Sequence, residues 1–405
     1  MRKTRKWGIS NWAYTRISMK KILSVITSDV TAESYIGDQL KYFQEKGGYE
    51  CHLISSPGPY LEAYAQRNGI RYKEIQIDRQ LRPRSIKTFF QMYKYMRKNK
   101  FDVLIAHSGP SACLLSMTAG RLAGIPHRIE LAHGALQEGL KGVLRRFVIT
   151  SESFNSHNAE RVIVVSESVC KIRQNDGIDK AEKQVLLSKG TCNGVDTKVQ
   201  FNPESVKAEQ LAELRKKFEI SVEDFVIGYC GRLVRDKGIV ELIEGFKLLR
   251  EKHPEKGIKL LIVGSPEKRD ALPQETLDFL TTDKSIIYTG FVPYMEIAQY
   301  YALMDTFILP SYREGFPTVT LEASSMGLPV VTSRKTGCID SIIEGETGLF
   351  VDLNASSIAD ALEKMMDKEY AQKLGQNGRK WVTENFEHSI VREAMLNLIN
   401  SLTHV

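Results

Sequence analysis

Nine consecutive residues, Glu314-Gly315-Phe316-Pro317-Thr318-Val319-Thr320-Leu321-Glu322, bring together the groups that could hold a diphosphate and the hydroxyls on either side of it. They follow an apolar run ending in Leu309-Pro310-Ser311. Pro317 suits the first turn of a helix, where its missing N–H would have had no partner. That places Glu314 in a strand-to-helix turn and Glu322 about one and a half turns into the helix. The first-turn amides of Thr318 and Val319 would then point outward and favour phosphate. A carboxylate on each side can accept hydrogen bonds from a sugar and a ribose. The plainer alternative is a capping Glu314 and a solvated, helical Glu322.

A second group is Gly231-Arg232-Leu233-Val234-Arg235-Asp236-Lys237-Gly238, after the run FVIGYC. Gly231 permits a sharp turn. Arg232 and Lys237 flank the loop, and two cations converging on a diphosphate would neutralise the charge that grows as it departs. Ordinary surface charge is the alternative. A third group is Gly337 and Asp340 after PVVTS, a further turn and helix start suited to phosphate oxygens or simply to capping. In the first half, His133-Gly134 follows HRIEL, where a histidine could meet a sugar hydroxyl or a developing charge, or be structural.

These groups need strands that end at a common edge. Short apolar, β-branched runs alternate with helical periods along the chain, implying βαβ units and parallel sheets. Strands are expected at 21–27, 50–55, 70–75, 102–106, 127–131 and 161–165, with helices at 35–46 and 84–99. The rhythm pauses after Asn193-Gly194-Val195-Asp196 and restarts at FVIGYC. Further strands are expected at 259–263, 285–288, 306–309, 329–332 and 349–351, and only helices thereafter. The fold class is therefore α/β: two Rossmann-like, doubly wound domains facing a cleft, with ligands at the carboxyl ends of their strands. The divisions are an extension at 1–18, a first domain at 19–200, a linker at 201–223, a second domain at 224–384 and a terminal helical segment at 385–405.

The 405 residues suffice for two cores. The net charge of +7 is uneven: residues 1–200 hold 32 Lys and Arg against 18 Asp and Glu, and the remainder holds 24 against 31. A basic first half suits phosphorylated substrates, an anionic membrane surface or nucleic acid. No stacking platform or helix-turn-helix signature favours the last. Six scattered cysteines without a zinc spacing indicate free thiols in a reducing, cytoplasmic setting. No apolar run is long enough to span a bilayer. Residues 1–18 mix Arg, Lys and Trp without a signal-peptide core and read as a disordered extension, an upstream-start artefact or a basic, aromatic membrane foot.

Together the loop GRLVRDKG, the segment EGFPTVTLE, the turn NGVD and the run MGLPVVTSRKTGCIDSIIEGETGLFV resemble the retaining glycosyltransferases of family 4, which have the GT-B fold. The resemblance extends from Met19 over nearly the whole chain. It implies that Arg232 and Lys237 bind the donor diphosphate, Glu322 the ribose and Glu314 the donor sugar, with Gly315, Phe316, Pro317, Thr318, Val319 and Gly337 around them. His133 would face the transferred sugar from the acceptor domain. It also implies that the second domain binds the nucleotide sugar and that the last helix returns to the first domain. The glycine pair common after the first strand is absent; Ser28–Ser34 stands there and the first glycine is Gly37. The GG-x-x-E common before the late helix reads Thr336–Asp340, a variant similar to that of enzymes building capsules, O-antigens and lipid-linked glycans.

The implied reaction uses a nucleotide-diphosphate sugar, a UDP-sugar by family prevalence, and no metal or other cofactor, since no DxD-like site is needed. The acceptor would be a glycan or a polyprenyl-diphosphate-linked sugar. The basic, aromatic segment 82–101 and the cluster Lys141, Arg145 and Arg146 suit either docking on anionic lipids at the inner face of the membrane or a core-facing helix whose outer face is basic. Two other functions share the fold: a sugar-nucleotide epimerase, against which the Glu314 and Glu322 pair argues, and a binding protein without turnover.

Overall fold

The computed structural model describes residues 19–78, 80–107, 109 and 111–404; the extension expected at 1–18 lies outside them. The first domain is built on strands β1 (Lys21–Val25), β2 (Glu50–Ser55), β3 (Arg71–Glu74), β4 (Val103–His107), β5 (His127–Ala132), β6 (Arg161–Val164) and β7 (Gln184–Val185). They pair in parallel in the order β3-β2-β1-β4-β5-β6-β7. The second domain holds β8 (Phe225–Cys230), β9 (Ile258–Val263), β10 (Ile286–Gly290), β11 (Thr306–Leu309), β12 (Val330–Ser333) and β13 (Gly348–Val351). These are also parallel, in the order β10-β9-β8-β11-β12-β13. Each sheet reverses its strand order once, between β1 and β4 and between β8 and β11. A doubly wound sheet opens its crevice at that point.

Helices cover both faces of the first sheet, which explains why its central strands are apolar on both sides. One face packs Ile22 and Leu53 against Leu40 and Phe43 of the helix Gln39–Gly47. The other packs Leu23 and Val25 against Met92 and Met96 of Ser85–Asn99 and Cys113 and Met117 of Ala112–Ala123. The last helix, His388–Thr403, adds Val391, Met395 and Ile399 to the first of these clusters. The Tyr49 hydroxyl lies 2.8 Å from both Asn400 and Thr403.

The expected helix 35–46 is broken. A single π-helical turn, Ala32–Ile36, precedes Gly37, whose φ of 54° ends it, and the α-helix begins at Gln39. Tyr35 lies within that π-helical turn. The segment 201–223, expected as a linker, instead belongs to the second domain's packing. It carries the helix Ala208–Lys217, and Phe201 and Ile220 are buried in that domain's core, with Leu211, Leu214 and Phe218 against it. The backbone crosses between domains at Val195 and again at Phe386–Glu387. These crossings are bonded side by side, Val195 N–H to the Phe386 carbonyl at 2.8 Å and His388 N–H to the Val195 carbonyl at 3.1 Å. The strand β7 is an addition to the expected set, too short at two residues to show a pattern.

Candidate active site

The second domain's contribution starts where β8 ends. Gly231 has φ 151°, and the next strand's loop nests against it so closely that a Cβ on Gly264 would stand 1.8 Å from the Gly231 carbonyl oxygen. Only glycine fits that approach. The chain then makes a 3-10 turn, Arg235–Lys237, and enters the helix Ile239–Lys252 through Gly238 at φ 69°. A Cβ on Gly238 would meet the Pro310 carbonyl at 1.9 Å. The turn therefore sits tightly on the carboxyl end of β11, the strand beside β8. As a result Lys237 donates to Glu314 Oε1, with both side chains largely buried.

This pairing excludes the plainer readings of both residues: Glu314 does not cap the helix, and Lys237 is not a solvated charge. Arg232 behaves differently. It lies 3.0 Å from Glu267 and is mostly exposed, at the rim rather than beside Glu314.

Beyond Glu314 the chain approaches the first domain. A Cβ on Gly315 would stand 1.8 Å from the His133 carbonyl oxygen, so this glycine is what allows the contact. Phe316 packs against both domain cores. Pro317 occupies the cap position, one residue earlier than expected, and the helix is Thr318–Ser325. Its leading amides, from Thr318 and Val319, lie at the start of an eight-residue helix as anticipated. A cavity of about 400 Å³ between the domains reaches Thr318 and Tyr294 from Gly37, Asn193 and His388.

Glu322 is the fifth residue of that helix and only 3% exposed. The Tyr301 hydroxyl donates to its Oε2 at 2.9 Å, and Tyr294 supplies a second hydrogen bond. Burial raises its pKa to about 7, with the two tyrosines opposing the shift. A solvated helical Glu322 is thus excluded as well.

His133, at the end of β5, stacks on Tyr35 at 4.6 Å and on His107 at 5.2 Å. Its Nε2 lies 2.9 Å from His107 Nδ1, and His107 Nε2 lies 3.1 Å from Ser24 Oγ. Burial lowers the His133 pKa to about 4, and burial together with the neighbouring His133 holds that of His107 well below the usual imidazole range, so both rings are neutral near pH 7. Sequence reasoning missed His107. The signal was present, because VLIAH ends a strand just as HRIEL precedes His133.

The third group is built differently from the expected helix start. Cys338–Asp340 is one 3-10 turn, not the start of a longer helix. The Gly337 amide donates to Ser168 Oγ at 2.8 Å, and Asp340 accepts from Ser168 N at 3.2 Å. The amide expected to face phosphate is therefore engaged across the domain boundary. Thr336 Oγ1 donates to Glu138 Oε1 at 2.6 Å, and Arg313 donates to the Glu138 carbonyl, closing the same side of the cleft.

Residues 211–381 match the family of group 1 glycosyl transferases, and residues 31–186 match the glycosyl transferase 4-like domain. A Staphylococcus aureus protein, the capsular polysaccharide biosynthesis glycosyltransferase CapM, is 31% identical over 94% of this chain and 97% of its own. The chain belongs to glycosyltransferase family 4. A second relative of this transferase, from Campylobacter jejuni, is 27% identical over 77% of this chain and 80% of its own; it is named N,N'-diacetylbacillosaminyl-diphospho-undecaprenol alpha-1,3-N-acetylgalactosaminyltransferase. In fold, the transferase matches a glycosyltransferase from Rickettsia africae with TM-score 0.78 and 20% identity, over 95% and 99% of the two chains. It matches Anabaena HepE, crystallised with UDP and glucose, with TM-score 0.76 and 17% identity, over 94% and 100%. The fold is GT-B. Among the described residues, no helix of the transferase is long and apolar enough to cross a membrane.

Proposed function

We propose that this transferase moves the sugar of a UDP-sugar, with retention of anomeric configuration, to a polyprenyl-diphosphate-linked acceptor at the cytoplasmic face of the membrane. The observation that carries the reading is the buried Lys237–Glu314 pair at the switch point of the second sheet, with His133 held against Gly315 from the other domain. Names of relatives support the substrate classes: capsule synthesis for the staphylococcal protein, a diphospho-undecaprenol acceptor for the Campylobacter one. The Anabaena structure with UDP and glucose supports the donor base.

Each residue then has a task. Lys237 bonds Glu314 through one N–H and keeps two for diphosphate oxygens. Arg232, longer and at the rim, can swing from Glu267 onto the same diphosphate. The amides of Thr318 and Val319 add uncharged donors, and Glu322 accepts from the ribose hydroxyls. Glu314 holds a hydroxyl of the donor sugar. His133, neutral and held by His107 and Tyr35, faces that sugar from the acceptor side. The acceptor oxygen bonds to the anomeric carbon on the face the diphosphate leaves. The electron pair of the breaking C–O bond goes to the diphosphate, which also takes the acceptor's proton. Lys237 meets charge that grows in that step, so it stabilises the transition state more than the ground state.

The test is release of UDP from a panel of UDP-sugars with and without a polyprenyl-diphosphate-linked sugar. Release should require the acceptor, and Lys237→Ala should lower kcat by about 10²- to 10³-fold, the usual cost of one such donor. Wild-type kinetics for Lys237→Ala, or donor conversion without any acceptor, would overturn the reading in favour of another site or an epimerase.

A further inference from the structure

The helix Gly142–Asn158 is inside out. Its inward face is polar: Glu152, Asn155 and Ser156 are all at most 3% exposed. Its outward face is apolar: Val143 is 85% exposed, Leu144 58%, Phe147 56% and Phe154 43%. Val143, Phe147 and Phe154 are four and then seven residues apart, which aligns them along one stripe. The inversion has an internal cause. Arg173 is fully buried and needs carboxylates, and Glu152 supplies one to its Nη1 at 2.8 Å, beside Glu130 at 2.9 Å and Asp179. Serving that cluster turns the polar face inward. Nothing internal requires three large apolar side chains on the opposite face, and such a patch marks an interaction surface.

The surroundings identify the partner. Gly142–Asn158 lies against Ala112–Ala123, which lies against Ser85–Asn99. Across these three helices the single acidic residue is the buried Glu152, whereas Lys87, Lys94, Arg97, Lys98, Arg121, Arg145 and Arg146 are basic. Ile86 and Phe90, on the outermost helix, are 66% and 52% exposed. A second copy of the chain is disfavoured, because a twofold contact would set like charges against one another. An apolar stripe flanked by cations, with no outward carboxylate, is the pattern of a helix lying in the interface of an anionic bilayer. Topology gives the orientation. Gly142–Asn158 follows β5 and Ser85–Asn99 follows β3, so both begin at the carboxyl edge of the sheet, the edge that carries His133.

Resting on the reading of a lipid-linked acceptor, we infer that the outward face of Gly142–Asn158 inserts Val143, Leu144 and Phe147 among anionic lipid headgroups and seats the first domain with its catalytic edge at the membrane. For segment 82–101 and the cations Lys141, Arg145 and Arg146 the sequence left two readings, lipid contact or a basic outer face. The structure moves the apolar anchor to the helix those last two cations lie on. Arg145 is engaged with Asp176, which leaves Lys141 and Arg146 as its flanking charges.

The experiment is vesicle flotation of the full chain. Wild type should float with phosphatidylglycerol-containing vesicles and remain behind with pure phosphatidylcholine. Val143→Asp/Phe147→Asp, which alters only exposed positions, should lower the bound fraction by about tenfold or more, since a charge on the inserted face opposes entry. Its melting temperature and its turnover on a short, water-soluble acceptor should match wild type. Flotation of the double variant equal to wild type would overturn the inference. So would a wild-type dimer in light scattering that the double variant splits, since the stripe would then join two copies. Loss of flotation in the double variant, with no transfer to any lipid-linked acceptor by wild type, would uphold the docking face while refuting the acceptor assignment.

Discussion

Glu322→Gln should make the protein more stable and a worse enzyme, with the stability gain depending on pH. The carboxyl is buried, and its pKa stands at about 7 against an ordinary 4.5. A raised carboxyl pKa means that the folded state holds a proton the unfolded state has released. The stability associated with that proton is complete below about pH 4.5 and is lost as pH rises through about 7. The shift of about 2.5 units, at 1.36 kcal/mol each, amounts to a loss of about 3 kcal/mol across the window. A neutral glutamine does not titrate, its oxygen can accept from Tyr301, and its amide can donate to the Tyr294 hydroxyl. Relative to wild type, Glu322→Gln should therefore gain about 3 kcal/mol between pH 4.5 and pH 8. Glu130, whose pKa burial raises against the attraction of Arg173, is unchanged by the substitution, so its contribution cancels in the difference. Denaturant unfolding of both proteins at several pH values measures it. UDP affinity, by calorimetry at pH 8, should fall in the variant because an amide no longer offers two anionic acceptors to the ribose. A stability difference independent of pH would refute the burial argument; unchanged UDP affinity would refute the ribose assignment.

Two further substitutions probe the domain contacts. Gly315→Ala places a methyl group 1.8 Å from the His133 carbonyl oxygen, so the domains must separate there; kcat should fall at least about tenfold with the melting temperature near wild type, because misplacement at the reacting centre is costly. Wild-type turnover would show that the two domains need not touch at Gly315 during catalysis. Ile399→Ala removes a fully buried side chain by which the last helix packs on the first domain; it should cost about 2–5 kcal/mol in urea unfolding, and a loss below about 1 kcal/mol would mean that the helix contributes little to that core.

What the sequence made legible was whatever depends on strand order and on the ends of strands. Lys237 and Glu314 are 77 positions apart, yet each follows an apolar strand, and the sheet sets those strands side by side as β8 and β11. The same rule would have found His107, since β4 and β5 are neighbours and each ends near a histidine. The helix in 208–217 was legible too, through Leu211, Leu214 and Phe218 at spacings of three and four, and was obscured by the polarity of the residues between. The missed features depend on partners distant in sequence. Gly37 interrupts a continuous helical period at a positive φ, where it packs towards Asn193 and its carbonyl accepts from the Tyr64 hydroxyl, and nothing local records those partners. The Gly337 amide looked free because Ser168 belongs to the other domain. In Gly142–Asn158 the helical period is clear, but a period fixes two faces without saying which is inside. Burial usually decides for the apolar face. Here Arg173, 21 positions beyond Glu152, decides for the polar one, since an unpaired buried guanidinium would cost more than leaving Val143 and Phe147 exposed. An exposed apolar stripe whose exposure is enforced by a buried charge cannot relax inward, and so it remains available to a surface outside the protein.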